Sequence, residues 1–374
     1  METREKKPTI ARLWRLCPVR HALLCISLLW TGIYFLTRNN RAWMNALVRS
    51  VVRPWHALAG RFYSAVRFSA AEWVIVLWIV MGLCFLAQLI LHFRRHRGWD
   101  VLWRWAVSLL TAMSMIFALF CLWWGTCYYT DNFAAQAGLA RRAVSAEELE
   151  SVTRYFAALA NAHSSRVERD ADGVFTADLG ELFDHSEVLY HAAEAEFPCL
   201  VGPELRAKPA VFSKLMSVIN NTGYFFCFTA EANVNVACPM ALLPATIAHE
   251  LAHQRGVAGE DEANFVAVAA CMADDDAAFN YSGALMAYVY LGNALHDTDY
   301  ERWLAVYDTL NADVRRDLGV HNAYWAQYED NAATEVSDQI YETFLHTYGD
   351  DRGMRSYDEC VDLLVVYYLN AAQA

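Results

Sequence analysis

His249 and His253 stand four residues apart, with Glu250 beside the first, in the stretch IAHELAHQRGVAGEDEANFVA from Ile247 to Ala267. On a helix, residues four apart share a face, so the two imidazoles can point at one ion. Glu250 then lies where its carboxylate reaches a metal-bound water rather than the metal. This HExxH spacing supplies two zinc ligands and a general base. Zinc lowers the pKa of its water toward about 7, and the glutamate takes the proton as that water attacks a carbonyl. In a chain with 12 histidines the motif arises by chance on the order of a few per cent of the time, so its surroundings must decide. The competing reading is a helix whose polar residues face solvent, or a pair of core histidines.

Three features of the surroundings favour the metal. A strand-like segment precedes the helix, Gly256 ends it, and a second acidic helix start follows at Glu260, Asp261 and Glu262. The third ligand must come from that acidic start, because position 259, where some HExxH proteins carry a histidine, is Gly259.

The elements that position these residues can be read on both sides. Gly223 to Val236 (GYFFCFTAEANVNV) is aromatic and alternating, which predicts β structure. Glu231 and Asn233, on the strand expected at the sheet edge, are candidates to contact a peptide backbone. Pro244 suits the first turn of the histidine helix. Elsewhere beyond residue 130 the pattern is helical. Ser145 and Glu148 form a capping box ahead of a helix to about Ala162. Further helices are expected at 179–196, 210–220, 281–296, 301–310, 322–328, 333–348 and 357–369. A developing oxyanion needs a donor beyond the metal, for which Tyr281, His296, His321 and Tyr324 are candidates.

Residues 1–130 are a different object. They carry 16 Lys+Arg against 4 Asp+Glu, whereas residues 131–374 carry 14 against 38, giving net charges of +12 and −24. The acidic part lacks the positive footprint that nucleic acid demands. Hydrophobic residues make up 56% of the chain and charged residues 19%, too apolar for an ordinary soluble enzyme. Three apolar stretches account for this, at about residues 21–36, 73–92 and 105–126. The first lacks a small-residue cleavage pattern and reads as a retained anchor. Basic residues at the start of the chain and between the second and third stretches predict a cytoplasmic N-terminus and an extracytoplasmic domain from 131 to 374. The arginine-rich loop 37–71 opposes that rule and reads as a helix lying on the membrane surface. Cys227 and Cys238 could pair in an oxidising compartment; buried free thiols are the alternative.

Glu260-x-x-Ala263-Asn264 resembles a segment of several glutamate-ligand zinc peptidases. The resemblance implies that Glu260 binds zinc and that Asn264 supports a ligand histidine, with Glu262 as the alternative ligand. FTAEANVN (228–235), HELAHQRG (249–256), EDEANF (260–265), WGTCYY (124–129), YSGALMAYVYLGNAL (281–295) and SYDECVDLL (356–364) carry a second resemblance. It is to an uncharacterised family of bacterial membrane proteins, the domain of unknown function 3810, which resembles zinc peptidases in its HExxH. The expected fold is mainly α: three transmembrane helices, then a mostly helical zincin-like domain with a small β element before the HExxH helix. The expected function is a zinc metallopeptidase of the cell envelope, anchored in the lipid bilayer and acting on a peptide or protein. A metal-binding sensor without turnover is the alternative, although the intact His-Glu-His set argues against it. An intramembrane protease ranks lower, since the histidine helix is not a bilayer-length apolar run.

Overall fold

The computed structural model describes residues 10–95, 98–328, 331–347 and 360–373. Among these the chain is mainly helical, with one three-stranded sheet. Among the described residues three helices are long and apolar enough to cross a membrane: Pro18–Thr37, a second from Ala70 to the arginines at 94 and 95, and Trp99–Trp123. The first and third pack side by side. Ser27 and Ser114 share a hydrogen bond of 2.7 Å, and the Trp30 indole donates to the Ala118 carbonyl at 3.1 Å. The second stands apart from that pair over much of its length and meets the third where Phe85 stacks edge-on against Trp105.

The loop between the first two apolar helices is helical, in segments Arg41–Leu47, Val48–Val52 and Arg53–Tyr63. It does more than present an amphipathic face. Met44, Val48, Val52 and Ala59 are buried. The Arg53 guanidinium donates to the carbonyls of Cys199 and Arg255, at 2.7 and 3.1 Å. The buried His56 donates to the Trp123 carbonyl at 2.9 Å. The loop therefore joins the third apolar helix to the acidic domain, and packing is continuous across residue 130.

The core of the acidic domain lies where Ala146–Ser164, Leu243–Gln254, Glu260–Ala273, Ala277–Thr298 and Cys360–Gln373 meet. The capping box at Ser145 and Glu148 is present. The apolar face of Cys360–Gln373 buries Leu363, Leu364 and Val365, as expected of a run too short to span a bilayer. The helix expected at 322–328 begins earlier, at Ala312, because Asn311 caps it through the Val314 amide. The expected helix 179–196 is interrupted between His185 and His191. Tyr348 and Tyr357, at the ends of two expected helices, lie outside the described residues.

The β element is a hairpin, β2 (Gly223–Phe226) and β3 (Glu231–Val234), extended by the short parallel strand β1 (Lys208–Pro209). The strand order is β1-β3-β2. Glu231 and Asn233 are therefore on the central strand, not on the edge as the sequence suggested. The edge strands are β1 and β2. Glu231 is buried and ion-paired with Lys208, and it accepts the backbone N–H groups of Ala70 and Ala71 at 3.2 and 2.7 Å. It thus caps the second apolar helix and fastens it to the sheet. The Asn233 side chain donates to the Glu231 carbonyl at 3.0 Å. Both Cys227 and Cys238 are free thiols, and Cys238 donates to the Asn235 carbonyl.

Candidate metal centre

The histidine helix, Leu243–Gln254, is buried along its whole length. Pro244 opens it without wasting a donor, and the Ala245 amide donates to the Ser282 hydroxyl of the neighbouring helix. Gln254 at its far end donates to the Ala230 carbonyl at 2.7 Å and so holds the β2–β3 turn. Gly256 then turns the chain back with φ +90°, a conformation that favours glycine. Only Gly256 to Gly259 separate Arg255 from the next helix, Glu260–Ala273. This short return places Glu260 opposite the two histidines.

The geometry is convergent. Glu260 Oε2 lies 3.2 Å from His249 Nε2 and 3.4 Å from His253 Nε2. One ligand atom from each of the three residues falls within 4.8 Å of the others. Each imidazole is fixed by its other nitrogen. His249 Nδ1 donates to Asn264 Oδ1 at 2.8 Å, and His253 Nδ1 donates to the Val257 carbonyl at 2.7 Å. Both Nε2 lone pairs are thereby aimed at the shared point, the arrangement expected around a ligated metal. The donor set of two imidazoles and one carboxylate, with room for a fourth ligand, suits zinc.

Electrostatics agree with that convergence. Burial alone would push Glu260 up, but the two imidazoles outweigh it and hold the carboxyl well below the usual range. Burial likewise works against a charged His253, yet the Glu260 carboxylate carries it up to about 9. A cation held between these groups would replace the proton they otherwise share. Glu250 is buried, its Oε2 has no hydrogen-bond partner, and burial pushes it up to about 7. A carboxylate that is beside the ligands but bonded to none of them is free to handle a proton.

Glu262 goes elsewhere. Its two oxygens accept the amides of Phe133 and Ala134 at 2.7 and 2.9 Å, capping the helix Phe133–Ala137. Asp261 pairs with Arg141. Of the four candidate oxyanion donors, Tyr281 donates to Asp317 at 2.6 Å and Tyr324 bonds Ser217, while His296 is exposed beside Asp297 and His321 lies on another helix. None of the four lines the cavity that contains the site.

That cavity, about 550 Å³, is lined by His249, Glu250, His253, Glu260 and Asn264, and by residues the motif does not announce. Asn220 to Phe225, including most of edge strand β2, form one wall. Gly223 faces Glu250: a Cβ there would lie 2.5 Å from Glu250 Oε1. Met286, Tyr290, Ser337 and Asp338 come from later helices. Phe120, Trp124 and Tyr128 come from the end of the third apolar helix and the turn after it. Trp124 stands edge-on to His253 with ring centroids 5.5 Å apart. By composition alone, Trp123, Trp124, Tyr128 and Tyr129 at the end of an apolar run fit a membrane interface. That this cluster also walls the site depends on contacts more than 120 residues apart.

A family model described as "Protein of unknown function (DUF3810)" matches residues 48–365. No curated protein and no solved structure matches the chain.

Proposed function

The chain belongs to the DUF3810 family, and we propose that it is a membrane-anchored zinc metallopeptidase acting outside the cytoplasmic membrane. One observation carries this reading: His249, His253 and Glu260 converge on one point with both imidazoles held by their far nitrogens, and Glu250, whose Oε2 has no hydrogen-bond partner, stands beside them. Zinc bound by the three ligands would supply a Lewis acid and an acidified water. The chain's own residues supply the rest. Glu250 takes a proton from the attacking water and passes it to the leaving amine. Asn264 and Val257 keep the ligand nitrogens aimed. The edge of β2 offers backbone groups along which a peptide can lie extended.

The three apolar helices span the bilayer with the N-terminus in the cytoplasm. Their ends at Tyr34, Ala70 and Trp124 all engage the acidic domain or its flanking turn, through Gly125, Glu231 and His253, which supports placing these ends on one side. At the opposite end Arg12 pairs with Asp100 at 2.7 Å and Arg20 donates to Ser108.

The test uses the full chain in detergent. The wild type is expected to bind one zinc and hydrolyse peptides from a random pool. Glu250→Gln keeps the zinc and loses the hydrolysis, because it retains size and polarity but not the basic oxygen. Hydrolysis undiminished in Glu250→Gln sinks the mechanism, and full zinc in His249→Ala and His253→Ala sinks the site.

A further inference from the structure

We propose that the polypeptide cut at this site is itself anchored in the membrane. It lies along the edge of β2 between the second and third spans and presents a bond within a few residues of its own membrane segment. The proposal rests on the metallopeptidase reading and names the substrate class for it.

The hairpin is bracketed by two spans. Phe225 packs against Trp124, which caps the third, with ring centroids 5.1 Å apart. Phe226 and Phe228 pack against Trp78 of the second, at 5.9 and 5.2 Å. These contacts set the depth. Trp78 is five residues beyond Trp73, where the uninterrupted apolar run begins, or about 7 Å along the helix axis. Phe120, in the cavity wall, is three residues before the end of the third span, about 5 Å below it. The floor of the cavity therefore reaches the level of the outer leaflet.

A second observation, independent of the cavity, places the same face at the bilayer. Val211, Phe212 and Leu215 are 56, 43 and 62% exposed. The amides of Val211 and Phe212 donate to the Glu72 carboxylate at 2.6 and 2.8 Å, which fixes this apolar turn at the head of the second span. Phe62 and Phe68, just before that span begins, are also exposed. Large apolar side chains left bare around the head of a span are what an interface-immersed surface requires.

A substrate held in the plane of the membrane arrives at this depth already confined. Its effective concentration at the site exceeds that of a free peptide without any added contact. An extended segment advances about 3.3 Å per residue, so a bond seated beside Gly223 and Glu250 lies only a few residues from the anchor. The edge of β2 away from β3 offers backbone groups for pairing that is indifferent to sequence, with the Gly223 amide already held by Asn221 Oδ1 at 2.9 Å.

The experiment places full-length Glu250→Gln, carrying a benzophenone crosslinker at the exposed position 222 on the cavity wall, in phosphatidylcholine–phosphatidylglycerol vesicles. The probe is a pool of random peptides of about ten residues, offered free or fused to one apolar helix of about 20 residues in the same vesicles. The fused pool is expected to crosslink at least about tenfold more than the free pool at equal amounts, by confinement to the membrane plane. Phe212→Asp with Leu215→Asp is expected to reduce that crosslinking. Equal crosslinking of the two pools, crosslinking of neither, or crosslinking to lipid alone overturns the proposal. A parallel hydrolysis arm uses the zinc-loaded wild type. Fused peptide that crosslinks but is never cut ends the peptidase reading and leaves the anchored partner standing. Free peptide cut as fast as fused does the reverse.

Discussion

At Gly223 a single methyl group tests the arrangement around Glu250. The added Cβ would sit 2.5 Å from Glu250 Oε1, so the carboxylate must move; the three atoms nearest the added carbon all belong to Glu250. Gly223→Ala is expected to lower peptide hydrolysis by tenfold or more, since small misplacements of a general base are costly. Zinc content should be unchanged by elemental analysis. The pair Glu260 and Glu262 separates in the same way. Glu260→Gln is expected to lower zinc affinity by about tenfold or more. Glu262→Gln should keep the metal but lose about 2 kcal/mol of stability, because its oxygens accept two buried amides. Metal titration and thermal unfolding of both variants check this, and the opposite pattern would move the third ligand to Glu262. The convergence of His249 and His253 was legible because residues four apart share a helix face. The choice between Glu260 and Glu262 was open to sequence reasoning, since the partners of Glu262 are Phe133 and Ala134, about 130 residues away. The bond that turns Asn264 toward His249 could be anticipated only by resemblance.

At the scale of elements, the hairpin before the histidine helix was legible from its aromatic alternation, but which strand forms the edge was not. Strand order depends on the two-residue β1, whose sequence Lys208-Pro209 carries no strand signal. Glu231 was a candidate substrate contact because its strand was expected at the sheet edge; its partners, Lys208 and the amides of Ala70 and Ala71, explain it as the fastening of a helix to a sheet. Loop 37–71 is helical, as the expected surface helix requires, yet its buried face meets the third apolar helix through the bond from His56 to the Trp123 carbonyl, and the domain through Arg53. The His56 contact has a pH dependence. Burial lowers the His56 pKa from 6.5 to about 4, so the unfolded chain takes up its proton first as pH falls. The stability from this group is complete above pH 6.5 and is lost progressively as pH falls toward 4. The loss is on the order of 3 kcal/mol at most. His56→Gln keeps a donor for the Trp123 carbonyl and does not titrate. Its unfolding midpoint is expected to fall less steeply between pH 6.5 and 4 than that of the wild type, and parallel curves would show that His56 is not the group responsible.

At the scale of the whole molecule, the segregation of +12 from −24 announced two physically different parts, but not that they share a site. Composition sees the apolar runs; it does not see Trp124 against His253. The segregation also answers the arginines between the first two spans, which should retain that loop in the cytoplasm. In the folded chain Arg67 faces Asp184 at 3.4 Å and Arg41 lies 3.9 Å from Asp131. Arg53 donates to two domain carbonyls, and Arg38 lies over the Phe35 and Tyr129 rings. An acidic domain on the same side would offset the charge that otherwise holds the loop back. The expected topology is therefore a cytoplasmic N-terminus, a cytoplasmic turn near residue 98, and an external site. Two single-cysteine reporters test it in intact cells with a membrane-impermeant maleimide, in a chain whose native cysteines are replaced by serine or alanine. Asp172→Cys, on an exposed turn of the domain, is expected to label from outside. Trp99→Cys, at the start of the third span, should label only after the membrane is opened. The reverse pattern would place the metal centre in the cytoplasm, and with it the hydrolysis and any anchored substrate.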